Sequence, residues 1–445
     1  MTSSSLKFPP KFLWGCATSS YQIEGAFNEG GRTVANWDVF SRTPGKVYSG
    51  HLADPACDHF HRYKEDVRLM ADLGMKAYRF SVAWPRVVPS GTGGVNPAAL
   101  DFYDRLTDEL LRCGIEPFIT LYHWDHPQIL DEKGGWRNRD FASWFAEYAA
   151  VVARRFSDRV ENWMTLNEPP CIADLGYGTG LHAPGSQLGP RDLNQVVHHI
   201  LLAHGLGVEA IRQNASRPVR VGIAHNPDNM VPLTSDDADA ARTAWRRANS
   251  WWFHPMFRGE YPADLWRERG GNVPEVRSGD LKLIGQPLDF MGLNIYHGTR
   301  VRRAASGSEL LPFVEPGAPT TTMGWPVIPE AMYWGLKFFH EDYPVETLYI
   351  TENGVSIDET PDASGRVDDR PRIAFLRAYL SQLHRAVAEG VPVKGYFLWT
   401  LMDNFEWSHG FSKLFGLVRV DGPGLRRVPK SSALWYRDVI SVDGI

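Results

Sequence analysis

Glu161-Asn-Trp-Met-Thr-Leu-Asn-Glu-Pro169 is a β-type run that finishes in Asn167-Glu168 and is stopped by Pro169 and Pro170. Far down the chain, Thr347-Leu-Tyr-Ile-Thr-Glu-Asn-Gly354 repeats the design: its apolar stretch ends in Glu352 and breaks at Gly354. Around these two runs, short β-rich apolar segments alternate with longer helix-patterned ones, as in parallel strands joined by crossover helices. Eight such units are expected, with strands at 13–17, 77–82, 117–121, 160–166, 219–224, 289–294, 348–351 and 394–399. Helices are expected at 56–73, 97–113, 139–156, 193–213, 370–388 and 431–439. Asn96-Pro97 has the form of a helix cap with proline in the first turn, and Gly74 and Gly114 close the two helices that precede strands. The expected fold class is α/β, a single (β/α)8 TIM barrel with long loops on the catalytic face, forming one domain over residues 1–445.

The length of 445 residues alone would suggest two or three domains, but no linker-like break in composition separates them. The Gly-, Ser-, Ala- and Pro-rich stretch 301–326 can be read as a linker or as a large barrel loop, and its length favours an active-site loop. Lys and Arg total 47 against 52 Asp and Glu, a net charge of -5 that supplies no broad basic field for nucleic acid or an anionic membrane. Cys16, Cys57, Cys113 and Cys171 never form a CxxC pair, so they read as small buried residues and not as a zinc ribbon or disulfide scaffold. The start, Met1-Thr-Ser-Ser-Ser-Leu-Lys-Phe-Pro-Pro10, lacks an apolar core of signal-peptide length, and no run is long enough to span a bilayer. A cytoplasmic protein without cofactor, metal, nucleic-acid or membrane partner is expected, and its oligomeric state is left open.

A parallel barrel opens the carboxyl ends of all its strands on one face, so Glu168 and Glu352 are expected to meet across the barrel mouth. Glycoside cleavage needs such a pair: a protonated carboxyl for the leaving oxygen and an ionised one for the charge developing at the anomeric carbon. A lone strand-end glutamate more commonly caps a loop or pairs with an arginine. The flanking residues add weight here. They are Phe12-Leu-Trp-Gly-Cys-Ala-Thr-Ser-Ser-Tyr-Gln-Ile-Glu-Gly-Ala26, Tyr78-Arg-Phe-Ser-Val-Ala-Trp84, Leu121-Tyr-His-Trp-Asp125, Thr165-Leu-Asn-Glu-Pro169, Ile350-Thr-Glu-Asn-Gly354 and Asp403-Asn-Phe-Glu-Trp407. Through these six motifs the sequence resembles the β-glucosidases of glycoside hydrolase family 1 over essentially its whole length.

The resemblance implies a retaining β-glycosidase acting on small glycosides, with Glu352 as nucleophile and Glu168 as acid and then base. It also implies that Arg79 keeps the nucleophile ionised and Tyr296 hydrogen-bonds it, although each could be structural, and it groups Asn294 with them as catalytic support. Asn167 matches the residue that contacts the sugar 2-hydroxyl. Gln22, His123, Trp124, Glu406 and Trp407 match the set that grips the glycone, with Trp399 as the platform beneath its ring and a cis peptide between Trp399 and Thr400. Glu406, where relatives acting on 6-phosphorylated sugars carry a small residue, implies an unphosphorylated glycone, while Lys413 occurs in both groups.

Three positions depart from the pattern: Ile295 where tyrosine is common, His126 where leucine is, and Leu414 where a basic residue is usual. His126 and the 301–326 stretch are expected to border the leaving-group side. Gly176-Tyr-Gly-Thr-Gly180 lacks a preceding strand and the GxGxxG spacing, so it reads as a flexible loop, and His198, His199 and His204 do not share one helical face as metal ligands would. Two alternatives stay open: a transglycosylase using the same intermediate, and a catalytically silent carbohydrate-binding relative.

Overall fold

The computed structural model describes residues 6–303, 310–313 and 317–445, the side chains at 310 and 311 excepted. Residues 1–5, 304–309 and 314–316, which fall within the expected amino-terminal and 301–326 segments, lie outside the described residues.

Eight parallel strands close into a barrel: β1 (Leu13–Ala17), β2 (Ala77–Ser81), β3 (Glu116–Tyr122), β4 (Asn162–Asn167), β5 (Arg220–His225), β6 (Met291–Asn294), β7 (Leu348–Asn353) and β8 (Val393–Trp399). Each strand pairs with its sequence neighbours, and β8 returns to β1 with Ala17 opposite Trp399. All eight expected strands are present, displaced by two residues or fewer at their ends. The lumen is filled mainly by Phe118, Met164, Phe290, Tyr349 and Phe397 around small Ala17, Ala77 and Ala224. Each buried aromatic contributes about 1.5–3 kcal/mol. Their bulk plugs the barrel below the level of the site, so a ligand enters only from the carboxyl end.

All six expected helices form, at His59–Asp72, Pro97–Arg112, Phe141–Phe156, Pro190–Asn214, Arg370–Ala388 and Ser431–Val442. The Asn96 side chain accepts the Ala98 N–H at 3.2 Å, and Gly74 and Gly114 take φ of 77° and 71° after their helices. The first helix starts three residues later than expected because Ala56 and Asp58 adopt φ of 52° and 56°, outside the helical region. Two further long helices, Ala238–Arg258 and Glu330–Asp342, were absent from the sequence reading.

The 301–326 stretch is not one irregular loop. Thr299–Arg303 and Leu310–Phe313 pair antiparallel, and the first of them also pairs with Met230–Pro232 in a small separate sheet. The segment 176–180, read as a flexible loop, is helical as far as Gly178, at the end of a π-helix over Cys171–Gly178. Among the described residues, no helix is long and apolar enough to cross a membrane.

Candidate active site

Arg79 on β2 is completely buried and spreads its guanidinium beneath the barrel mouth. One terminal nitrogen donates to Glu352 Oε1 at 2.5 Å and to the Thr351 carbonyl at 3.2 Å. The other donates to Asn167 Oδ1 at 2.6 Å, and Nε donates to Thr120 Oγ1 at 2.9 Å. Four strands, β2, β3, β4 and β7, are thereby pinned to one cation. Only a planar fork can serve acceptors in these separate directions.

Glu352 ends β7 and its second oxygen accepts the Tyr296 hydroxyl at 2.7 Å. The chain then turns away at Gly354, where a Cβ would stand 1.8 Å from the Trp399 carbonyl oxygen. Glu168 follows β4, its N–H donating to the Ala224 carbonyl at 2.8 Å, and it holds φ at 48°. Trp124 and Trp407 in the same cleft sit at 77° and 50°. Such backbone costs on the order of 1–3 kcal/mol per residue and persists where surrounding packing imposes it.

Asn294 braces the acid on β4. Its Nδ2 donates to Glu168 Oε1 at 2.7 Å and to Asn167 Oδ1 at 3.1 Å. The Thr351 hydroxyl donates to Asn294 Oδ1 at 2.6 Å and so fixes which way the amide points.

Burial pushes both carboxyls up. Glu168, with Glu352 as the second cause, is raised to about 7. Glu352 also rises through burial, but Arg79 and the Tyr296 hydroxyl pull it back towards the ionised form. Glu352 is therefore the first of the pair to ionise, and Glu168 keeps its proton beside it. Glu406 is raised to about 8 by burial and then by the charges of Glu352 and Glu168.

These groups line a cavity of about 310 Å³, a volume within the usual range for small-molecule sites. Nine of the twelve residues singled out from sequence line it: His123, Trp124, Asn167, Glu168, Tyr296, Glu352, Trp399, Glu406 and Trp407. Arg79 and Asn294 stand directly behind the glutamates. Gln22 is fully buried one layer down, its amide shared by Asn404 Oδ1, the Phe405 carbonyl and Glu406 Oε2 at 2.9–3.4 Å. The His123 ring stacks on Trp399 at 5.6 Å and on Trp407 at 6.0 Å. Because Asn167 Oδ1 is committed to Arg79, its Nδ2–H faces His123 Nε2 at 3.1 Å, which leaves the ring proton on Nδ1. The Trp399-Thr400 peptide is cis.

Two expectations are corrected, those for His126 and for the burial of Cys113 and Cys171. His126 does not border the cleft: its backbone pairs with Asn36 and turns the ring inward, against the Tyr122 hydroxyl at 3.0 Å and near Asp131 at 3.2 Å. Ile295 is fully buried in the core outside the barrel and touches no part of the cavity. Only Cys16 and Cys57 are buried as expected; Cys113 and Cys171 are half-buried, and Cys171 lies on the cleft wall. His198, His199 and His204 bond separately, to Tyr261 and Asp280, to the Trp136 carbonyl, and to Thr165.

Met323 and Trp325, inside the 301–326 stretch expected to border the cleft, do line its outer wall, whereas Cys171, Leu175, His182 and Phe415 on the same wall were not anticipated. Met323 and Trp325 belong to a turn closed by Thr321, whose hydroxyl accepts the N–H groups of Met323 at 3.2 Å and Trp325 at 3.3 Å. The Lys413 ammonium donates to the Thr322 carbonyl and ties that turn down. The Gly- and Pro-rich 301–326 stretch is the signal that pointed to Met323 and Trp325.

With this geometry in place, the family described as "Glycosyl hydrolase family 1" matches residues 4–445. The chain belongs to glycosyl hydrolase family 1. It is a glycoside hydrolase. Among the family 1 proteins it resembles, β-glucosidase A of Thermotoga maritima is 44% identical, with 99% of each chain covered. β-Glucosidase A of Acetivibrio thermocellus is 42% identical, over 99% of this chain and all of that one. The solved structure of the Thermotoga maritima β-glucosidase in complex with glucoimidazole superposes with a TM-score of 0.92 at 43% identity, covering 99% of this chain and 100% of that one.

Proposed function

We propose that this family 1 enzyme is a retaining β-glucosidase that removes a terminal β-D-glucosyl residue from small glycosides or oligosaccharides. The observation that carries the reading is the unequal anchoring of its two cleft glutamates. Glu352 has a buried cation and a phenol on its two oxygens, whereas Glu168 has one neutral amide and a pKa raised to about 7.

The glycone lies on Trp399, its hydroxyls held by His123, Asn167, Glu406 and Trp407, with Trp124 closing the wall. Ionised Glu352 attacks the anomeric carbon while Glu168 gives its proton to the leaving oxygen. Glu168 is then ionised, its proton gone with the leaving group; because esterification has removed the neighbouring Glu352 charge it remains a stable carboxylate until it draws a proton from water. Water attacks, the ester breaks and retention results from two inversions. Arg79, Asn294 and Tyr296 hold the two carboxyls throughout. The whole chain serves this one barrel site. The matched proteins are β-glucosidases, which supports glucose as the glycone.

Hydrolysis should be measured on aryl β-glucoside, β-galactoside, β-fucoside, β-xyloside, cellobiose and glucoside 6-phosphate, with and without an added alcohol. Glucoside turnover with release of the β-anomer of glucose is expected. Glu352→Gly should stop turnover and, with azide, yield the α-glycosyl azide, while Glu168→Ala should act only on substrates with activated leaving groups. Normal turnover by Glu352→Gly would remove the nucleophile assignment, and silence on every substrate would favour a carbohydrate-binding role. Transfer to the alcohol in excess of hydrolysis would favour the transglycosylase.

A further inference from the structure

Glu352 stands on β7, whereas Glu406 sits in the segment that follows β8. A sugar that touches both needs these two strand exits held at one separation. Outside the cavity, a closed circuit of buried charges joins them. Lys430, the residue before the closing helix Ser431–Val442, is completely buried, and its ammonium donates to Glu359 Oε1 at 2.7 Å and to Asp403 Oδ1 at 2.9 Å. The same Asp403 oxygen accepts the Gly416 N–H at 2.9 Å. That bond ties together the two ends of the loop that brings Glu406, Trp407 and Phe415 into the cleft. The ends meet so closely that a Cβ at Gly416 would stand 2.1 Å from the Asp403 nitrogen.

Arg372, also buried, forms the other half of the circuit. One terminal nitrogen donates to the carbonyl of Val355, which follows the end of β7. The other donates to Glu359 and to the Leu414 carbonyl at 3.1 Å, and Nε donates to Asp369 at 2.8 Å. Asp369 in turn accepts the Ser432 N–H at 2.8 Å, beside Lys430. The Glu359 side chain, 1% exposed, is thus shared by two cations. None of these charged groups lines the cavity. Apolar side chains of similar volume would stabilise such a place at least as well, because buried ions lose their hydration. What the charges add is direction: hydrogen bonds of fixed length run from the nucleophile's strand exit to both ends of the glycone loop.

We propose that Lys430, linked through Glu359 to Arg372, is a positioning residue for glycone selectivity, setting where the Glu406 loop stands relative to the nucleophile. Displacement of that loop weakens the grip on the sugar's hydroxymethyl side first, because Glu406 is carried by the loop while Arg79, Asn167 and Glu168 are carried by other strands. A glucoside then loses more than a xyloside, which has no hydroxymethyl group. This inference rests on the reading of Glu406 as a glycone contact.

The measurement is the kcat/KM ratio of aryl β-glucoside to aryl β-xyloside, taken in competition so that the folded fraction of enzyme cancels. Lys430→Met should lower the ratio by roughly tenfold, and Glu359→Gln, which keeps an oxygen for Lys430 but not the charge, by roughly threefold. Glu359→Gln serves as the reading if Lys430→Met fails to fold. A ratio within about twofold of wild type in every folded variant, including one where both substrates slow equally, means that the circuit only supports the fold and overturns the proposal. Glu406→Ala separates the two readings. If it collapses the ratio while the circuit variants keep it, only the role of Lys430 falls; if it leaves the ratio unchanged, the glycone contact and the proposal fall together.

Discussion

Replacing Arg79 by lysine tests the reading of the site most directly. The guanidinium is fully buried and donates at once to Glu352 at 2.5 Å, Asn167 at 2.6 Å and Thr120 at 2.9 Å. A lysine ammonium at the end of a flexible stem can retain one of these contacts but not the fork. Charge-assisted hydrogen bonds contribute about 1.5–3 kcal/mol each, so losing two removes about 3–6 kcal/mol of organisation around Glu352 and Asn167. If those bonds act in the transition state, kcat/KM falls by roughly 10²- to 10⁴-fold. Arg79→Met goes further, because it strands a buried carboxylate, an arrangement that costs about 3–5 kcal/mol and that Glu352 can escape by taking up a proton. The sign follows: the cation lowers the Glu352 pKa, its removal raises that pKa, and the acid limb of kcat/KM moves to higher pH. The assay is kcat/KM for an aryl β-glucoside from about pH 4 to 9, with circular dichroism to confirm that both variants are folded. A lysine variant within tenfold of wild type and with an unmoved acid limb would refute the assignment of Arg79 as the group that keeps Glu352 ionised.

Two further outcomes follow from the cleft walls. Glu406 lies on the cleft wall, and burial with Glu352 and Glu168 raises it to about 8, so it turns anionic only on the alkaline side; with Glu406 gripping the glycone as proposed, Glu406→Ser, which removes its bulk and that charge, should raise the kcat/KM ratio of glucoside 6-phosphate to glucoside by about tenfold or more, and competition kinetics that leave the ratio unchanged would exclude this role. Lys413→Met frees the Thr322 carbonyl and loosens the turn that carries Met323 and Trp325; KM for cellobiose should rise roughly three- to tenfold with little change for methyl β-glucoside, and an equal rise for both would show that the turn does not contact the leaving group.

The barrel was legible because each of its strands is a short apolar run cut by glycine, proline or a polar residue, a pattern set within a few neighbouring residues. The helix Ala238–Arg258 was not, since it carries Pro255 inside and mixes tryptophans with arginines, which blurs an apolar stripe. Glu168 and Glu352 were legible as candidates for the same local reason, each standing where its strand stops, whereas Asn167 and Asn294 entered only through the family resemblance. His126 misled because proximity in sequence to His123 and Trp124 does not survive the left-handed backbone at Trp124, after which the chain pairs with Asn36 and faces the core. Trp325 lies in the stretch expected to border the cleft, but its exact place, like that of the unanticipated Cys171, depends on distant partners, Lys413 for the Thr322 turn and Asn226 for the thiol. Such pairings join segments that no local pattern connects.

The complete burial of Arg79 also constrains the ledger of charge through the proposed cycle. A cation in that position cannot be neutralised by solvent, so the pocket must always hold one compensating anion. Before attack that anion is Glu352; in the glycosyl-enzyme it is Glu168, whose proton has departed with the leaving group; after hydrolysis it is Glu352 again. The negative charge passes across the sugar from one wall to the other and back, while the total inside the cavity stays constant. No ion has to enter or leave the cleft between the two half-reactions, so the charge balance of the site does not depend on exchange with solvent ions.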